Sequence, residues 1–159
     1  MPLRFKRYNL ENQAFFVTSK IKDNQPYFLD HHLAELFIET LYLCRKKYEF
    51  LLLSFVVMPE HFHAIIIPQK GYMISSVMRK IKSLFVKKMR EELGWEGTFW
   101  QKSFYDFVVY TDKKLIEKFN YILQNPVRRG LVQKVEDYHF STANKRFEND
   151  IEKFFGLPI

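Results

Sequence analysis

Residues 58–68 read MPEHFHAIIIP, a short polar turn followed by a strongly apolar run. The residues before them, 49–58, read EFLLLSFVVM and are equally rich in branched and aromatic side chains, which favour β-strands. Only Pro59 and Glu60 separate the two apolar runs. The pattern therefore predicts a tight β-hairpin in which strand 49–58 turns directly into strand 61–67.

Two histidines at the start of the second strand form a candidate metal site. Alternate side chains of a strand point to opposite faces, so His61 and His63 project side by side and Phe62 points away from them. Two imidazoles on a rigid element can converge on one cation while the residue between them anchors the strand in the core. Because such a pair also arises by chance, the rest of the chain has to support this interpretation.

The segments around the hairpin predict a ferredoxin-like fold of the α+β class. Hydrophobic periodicity and turn residues predict strands over 14–21 and 104–110 and helices over 30–47, 72–93 and 113–124. The first six elements then follow the order β-α-β-β-α-β, the split βαβ arrangement, with an antiparallel sheet and both helices on one face. We expect the other face to be open and to carry the two histidines.

The ends of the helices are predicted from capping and breaking residues. Asp30 is the candidate N-cap of the first helix, and Gly94 is expected to end the second. Thr111 or Asp112 is the candidate cap of the extra C-terminal helix. Pro126 is expected to end that helix, because proline lacks the amide hydrogen that a helix needs.

Composition and length favour a cytoplasmic globular protein. The chain has 159 residues, of which 47% are apolar and 18% aromatic. We expect a single domain over 1–159, with its core at about 10–132 and a partly docked tail at 135–159. The sequence shows no apolar run of transmembrane length and no signal peptide, so we expect no membrane partner. Cys44 is the single cysteine, which excludes an internal disulfide and fits a reducing compartment.

The net charge of +7 indicates a polyanionic partner such as nucleic acid. Residues 79–90 hold six basic and no acidic side chains, and a second basic cluster lies at 128–129. The candidate nucleic-acid-binding residues are Arg79, Lys80, Lys82, Lys87, Arg128 and Arg129. The alternative for the first cluster is a solvated helix face without a ligand.

Tyr121 is the candidate catalytic nucleophile. It lies in the predicted last helix, where residues i and i+4 share a face, so Tyr121 and Asn125 lie together. An amide oxygen from Asn125 can complete a site for a hard divalent metal, Mg²⁺ or Mn²⁺, next to the phenol. Gln124 is the alternative amide ligand. The alternative for Tyr121 is an aromatic core residue on an amphipathic helix.

Four motifs occur in one order along the chain: MPEHFH at 58–63, MRKIK at 78–82, FWQKSFYD at 99–106 and YILQNPVRRGLV at 121–132. Together they resemble the single-tyrosine HUH transposases, and most closely the REP-associated tyrosine transposases, over roughly residues 10–145. The resemblance implies a divalent metal on His61 and His63, Tyr121 as nucleophile, and single-stranded DNA with a hairpin, REP-like or at a transposon end, as substrate. One departure is Glu60, where the family usually has Asn.

We therefore expect a metal-dependent enzyme that cuts and rejoins single-stranded DNA near hairpins through a 5′-phosphotyrosine intermediate. Related transposases include dimers and monomers, so a homodimer and a monomer both stay open. One rival function is that of a domesticated, non-catalytic protein that binds hairpins of single-stranded DNA or RNA. A second rival is an unrelated ferredoxin-like RNA-binding domain that stacks bases on the aromatic side chains of its sheet.

Overall fold

The computed structural model describes residues 12–155. Within this range four strands form one antiparallel sheet of order β2-β3-β1-β4: β1 (Ala14–Lys20), β2 (Leu51–Met58), β3 (His61–Ile67) and β4 (Tyr105–Val109). The helix α1 (His31–Tyr48) connects β1 to β2, and α2 (Ile74–Leu93) connects β3 to β4. This confirms the predicted ferredoxin-like order. Two further helices, α3 (Asp112–Arg128) and α4 (Ile151–Phe155), follow the sheet.

Each face of the sheet packs against its own hydrophobic core. On one face, Phe62 belongs to the larger core with α1 and α2, and its ring centre lies 4.6 Å from that of Phe37. On the other face, Ile65 packs in a smaller core with Leu115 and Ile122 of α3. The two cores follow the alternation of side chains along β3.

The expectation that the second face is open is wrong. The helix α3 folds back over this face, because its apolar stripe needs a buried surface that α1 and α2 do not leave free. His61 and His63 lie on this face and are therefore buried, with only 8% and 6% of their surfaces exposed. The site is a partly enclosed one between a sheet and a helix, instead of an open sheet surface.

The helix α3 is longer than the sequence predicted. Thr111 caps its start and accepts a hydrogen bond from a backbone amide at 3.0 Å. The helix continues past Pro126, since a proline near a C-terminus removes one backbone hydrogen bond and the carbonyl of Asn125 still accepts from the Arg129 amide at 3.0 Å. Asn125 therefore lies in regular helix and not at a frayed end. Gly130, with φ of 74°, follows the last turn.

The caps predicted for the other two long helices are confirmed. The Asp30 carboxylate accepts from the His32 amide at 2.9 Å at the start of α1. Gly94, with φ of 69°, caps the end of α2. Among residues 12–155, none of the helices combines the length and the apolar character that crossing a membrane requires.

Residues 138–150 lie along the outer edge of β2. Three backbone hydrogen bonds join this segment to β2. The Val57 amide donates to Phe140 at 2.8 Å, the Thr142 amide to Phe55 at 3.1 Å, and the Asp150 amide to Leu52 at 2.8 Å. The buried carboxylate of Asp150 also accepts from the Arg45 guanidinium of α1 at 2.7 Å. This segment closes one edge of the sheet, so β4 is the edge strand left without a partner strand on its outer side in the described part of the chain.

Candidate active site at the histidine pair

The imidazoles of His61 and His63 converge on one point. Their Nε2 atoms lie 3.1 Å apart. The other ring nitrogen of each has its own partner: Nδ1 of His61 lies 3.0 Å from Oε1 of Glu60, and Nδ1 of His63 lies 2.7 Å from Oγ1 of Thr18. Histidines that bind metals are commonly held in this way, because the bond at one nitrogen orients the other nitrogen towards the ion.

The pair fits a divalent metal in both spacing and charge. Two nitrogen ligands that each lie about 2.1 Å from one ion, with a nitrogen–metal–nitrogen angle of about 90–109°, are about 3.0–3.4 Å from each other. The observed distance of 3.1 Å between the two Nε2 atoms falls in this range. Burial lowers the pKa of both imidazoles, that of His63 to about 3. Both rings are thus neutral at pH 7, which metal binding requires.

Further ligands to a metal at this pair would have to be amide, water or substrate oxygens, and not a third His, Cys, Asp or Glu side chain from residues 12–155. The described residues contain no group of three or more His, Cys, Asp and Glu side chains that could hold a metal. Asn125, one helical turn after Tyr121, is 6% exposed and lies on the buried face of α3. Gln124 is exposed and lines a shallow depression together with Lys118, Tyr121 and Arg128. Asn125 and Gln124 both stay candidates for a third ligand, beside water or substrate oxygens.

The helix α3 brings Tyr121 beside the histidines of its own chain. The Tyr121 ring centre lies 5.4 Å from that of His63 and 5.9 Å from that of Phe16, with edge-on packing in both cases. The side chain nevertheless keeps 41% of its surface exposed. A reactive phenol has to reach both the metal site and an incoming strand, and this position allows both within one chain.

Four cationic side chains surround the site. Arg128 stacks over the Tyr121 ring at 4.4 Å, and the Lys118 amine lies 5.8 Å from the ring centre. Arg129 donates to the Glu60 carboxylate at 2.7 Å, and Lys20 is opposite His61 in the register of β1 and β3. This concentration of positive charge suits a phosphodiester substrate.

Three residues near the histidine pair were not predicted from the sequence: Thr18, Lys20 and Lys118. Thr18 and Lys20 reach the site only because β1 pairs with β3, which sets them opposite His63 and His61. No local pattern in the sequence indicates that register. Lys118 precedes Tyr121 by three residues, so helical spacing was a signal that could have identified it.

The basic residues of α2 lie on the opposite face of the sheet from the histidine pair. Arg79 and Lys82 line a groove of about 730 Å³ between α2 and residues 97–104, together with Arg90 and Lys102. Burial lowers the pKa of Lys82. We call this the α2 groove. Four cations and one carboxylate in its lining make it a candidate second surface for nucleic acid.

The other predicted residues of α2 point elsewhere. The Lys80 amine lies 4.9 Å over the ring of Tyr48 of α1, and the Lys87 amine lies 3.9 Å from the Glu91 carboxylate. Neither residue lines the α2 groove. The basic run of the sequence is therefore divided between the groove and the neighbouring helix surface.

Comparison with known proteins places this chain in a family. The model of the family "Transposase IS200 like" matches residues 10–125. A REP-associated tyrosine transposase of Escherichia coli K12 is 26% identical over 142 residues, which cover 89% of this chain and 82% of that protein. The chain belongs to the IS200-like transposase family.

Solved structures agree with this assignment. A REP-associated tyrosine transposase bound to a REP hairpin matches with a TM-score of 0.72 and 25% identity, over 93% of this chain and 89% of that one. A protein of Deinococcus radiodurans with 16% identity and a TM-score of 0.55 covers 75% of this chain and 95% of its own, and shares the fold. The resemblance to REP-associated tyrosine transposases and the α+β ferredoxin-like fold are thereby confirmed.

Proposed function

We propose that this protein cuts and rejoins single-stranded DNA beside hairpins, with Tyr121 as the nucleophile. His61, His63 and Asn125 would hold Mg²⁺ or Mn²⁺. The observation that carries the proposal is the position of Tyr121, whose ring centre lies 5.4 Å from that of His63 while the two Nε2 atoms converge at 3.1 Å. A bound divalent metal supplies charge neutralisation at the phosphate oxygens of the cleaved bond.

Tyr121 performs a transesterification. Its phenolic oxygen attacks phosphorus and forms the new O–P bond, the bond between phosphorus and the 3′-oxygen breaks, and the 3′-oxygen gains a proton as the phenol loses one. One phosphodiester bond is exchanged for another and none is lost to water, so the reverse attack by a 3′-hydroxyl rejoins the strand without another energy source. The product on the enzyme is a 5′-phosphotyrosine.

Charged neighbours of Tyr121 stabilise the transition state. Arg128 lies 4.4 Å from the ring centre and also donates to the Tyr121 carbonyl at 2.9 Å, which holds its guanidinium in place. Lys118 approaches from the side of Phe16, with its amine 4.8 Å from that ring. Deprotonation leaves negative charge on the phenolic oxygen, and the attack shifts it onto the phosphate and the departing 3′-oxygen, where fixed cations favour it.

Hairpin DNA is the proposed substrate for two reasons. The solved REP-associated tyrosine transposase that matches this chain is bound to a REP hairpin. In addition, the α2 groove offers Arg79, Lys82 and Arg90 as contacts for a phosphate backbone. DNA is cleaved at the histidine pair on one face of the sheet and is bound in the α2 groove on the other face.

The test is the formation of a covalent adduct. Wild-type protein incubated with Mn²⁺ and a hairpin-bearing single strand is expected to yield a DNA-linked peptide that contains Tyr121, identified by mass spectrometry. Tyr121→Phe keeps the ring and should bind DNA without forming the adduct, and Tyr110→Phe is the matched control that should form it. Binding without any adduct in the wild type would support the rival function of a non-catalytic hairpin-binding protein.

A further inference from the structure

The cations that can grip DNA lie on opposite faces of one sheet. The α2 groove, with Arg79 and Lys82, is on the face of α1 and α2. The histidine pair, with Lys118 and Arg128 nearby, is on the face of α3. The shortest route between these surfaces for a DNA molecule that occupies both runs around an edge of the sheet.

The structure leaves one edge for this passage. Residues 138–150 close the edge at β2 through backbone hydrogen bonds, whereas within residues 12–155 the outer side of β4 carries no strand. The α2 groove reaches this edge, because Phe104 and Asp106 belong to its lining. Tyr105 lies between them in sequence at the first position of β4.

Tyr105 is on the face of the histidine pair. It is opposite Thr18 in the register of β1 and β4, and Thr18 is opposite His63 in the register of β1 and β3, so the three side chains form one row. With strands about 4.8 Å apart, the Tyr105 backbone lies about 10 Å from that of His63. The Tyr105 side chain is 57% exposed, a large value for an aromatic residue on a strand.

Basic and aromatic groups continue from Tyr105 towards the nucleophile. Phe107 is on the same face of β4 two residues further on, opposite Phe16 in the register. The Lys118 amine lies 4.9 Å from the Phe107 ring and 5.8 Å from the Tyr121 ring, and so bridges β4 and α3. Surfaces that bind single strands combine stacking aromatics with cations in this way.

We propose that Tyr105 stacks on an unpaired base and guides the single strand around the edge of β4, from the α2 groove to the histidine pair. This inference rests on the proposed function of that pair. Every base has an aromatic face, so one exposed tyrosine can guide a strand of any sequence. Lys118 lies between this stacked base and the cleavage point, where it continues the positive charge along the path.

The experiment compares two hairpins that share one stem, one of them extended by a short oligo-dT flank. Binding is measured by fluorescence anisotropy in EDTA, so that no strand is cut. Tyr105→Ala is expected to weaken binding of the flanked hairpin about 5- to 150-fold, the range for one stacked base, and to leave binding of the bare hairpin unchanged. Tyr105→Phe keeps the ring and should bind like the wild type.

Tyr110→Ala is the matched control, because Tyr110 follows β4 and is 56% exposed but lies outside the strand and its row. Equal weakening in Tyr110→Ala, or no flank-dependent weakening in Tyr105→Ala, would overturn the inference. A covalent adduct on Tyr105 would overturn it as well, since Tyr105 would then be the nucleophile.

A second measurement places the strand directly. With 5-iodouracil in the flank, irradiation is expected to crosslink the wild type at Tyr105, and a crosslink confined to other residues would refute the path. Failure of the proposed function looks different: the wild type would bind the flanked hairpin and yet form no adduct with metal. If the wild type binds flanked and bare hairpins with equal affinity, this result refutes both the path around β4 and the single-stranded substrate.

Discussion

Glu60 offers a sharp test of how the histidine pair is held. Its Oε1 atom accepts from Nδ1 of His61 at 3.0 Å and from Arg129 at 2.7 Å. Although burial raises the pKa of Glu60, the hydrogen bond from Arg129 and the positive charge of its guanidinium lower it below its usual value. Glu60→Gln keeps the size of the side chain and removes the negative charge, so the bonds to His61 and Arg129 lose their charge assistance.

The expected loss is larger for metal binding than for stability. The side chains of Glu60 and Arg129 are 18% and 48% exposed, so the ion pair contributes at most about 1 kcal/mol to folding. Mutation of the residue that hydrogen-bonds a metal-bound histidine lowers metal affinity about 10- to 100-fold, or about 1.4 to 2.8 kcal/mol. Glu60→Gln should therefore melt close to the wild type and bind Mn²⁺ much more weakly.

Isothermal titration calorimetry with Mn²⁺ and a thermal melt measure the two effects separately. Glu35→Gln is the matched control, since Glu35 pairs with Arg146 at 2.8 Å on α1, on the other face of the sheet. Wild-type affinity for Mn²⁺ in Glu60→Gln would refute the reasoning and leave Glu60 as an ordinary ion-pair partner of α3. A lower melting temperature without a change in affinity would lead to the same conclusion.

Three further predictions concern the metal, the groove and pH. His63→Ala should lose Mn²⁺ binding in calorimetry and cleavage in a nicking assay while the circular dichroism spectrum stays native; cleavage that persists in EDTA would contradict the metal site. The combined change Arg79→Ala, Lys82→Ala and Arg90→Ala should reduce the slope of log affinity against log salt by about 0.9 for each lost contact to duplex DNA, and an unchanged slope would show a solvated groove. The pKa of His63 lies at about 3 in the folded protein and near 6.5 in the unfolded chain, so the unfolded chain binds more protons between these values. Urea titrations of the metal-free protein should therefore show stability falling as the pH drops from about 6.5 towards 3, by at most about 1.4 kcal/mol per pH unit for this group, and a flat profile would argue against a buried neutral imidazole.

The sequence was sufficient wherever short-range geometry decides the outcome. The turn at Pro59 and Glu60 and the alternation along 61–67 predicted the hairpin and the shared face of the histidines, because the side-chain period of a strand is a local property. The spacing of Tyr121 and Asn125 likewise follows from the helix period. The predicted end of α3 was wrong, because Pro126 removes only its own amide hydrogen bond, while the Arg129 amide still bonds to the Asn125 carbonyl.

Only the tertiary structure decided which distant residues share the site. Thr18 and Lys20 become neighbours of the histidines through the register of β1 and β3, and that register is selected by burial over the whole sheet. The return of α3 over the sheet sets Tyr121 beside His63 of its own chain, because the apolar stripe of the helix has to be covered. Burial of an apolar helix face also explains why the α2 groove lies on the opposite face of the sheet. The helix α2, which carries Lys82, follows the histidine strand in sequence, but it buries its apolar side on the core that contains Phe62. Local patterns thus determined the chemistry that the chain can offer, and long-range burial determined which of these groups face one another.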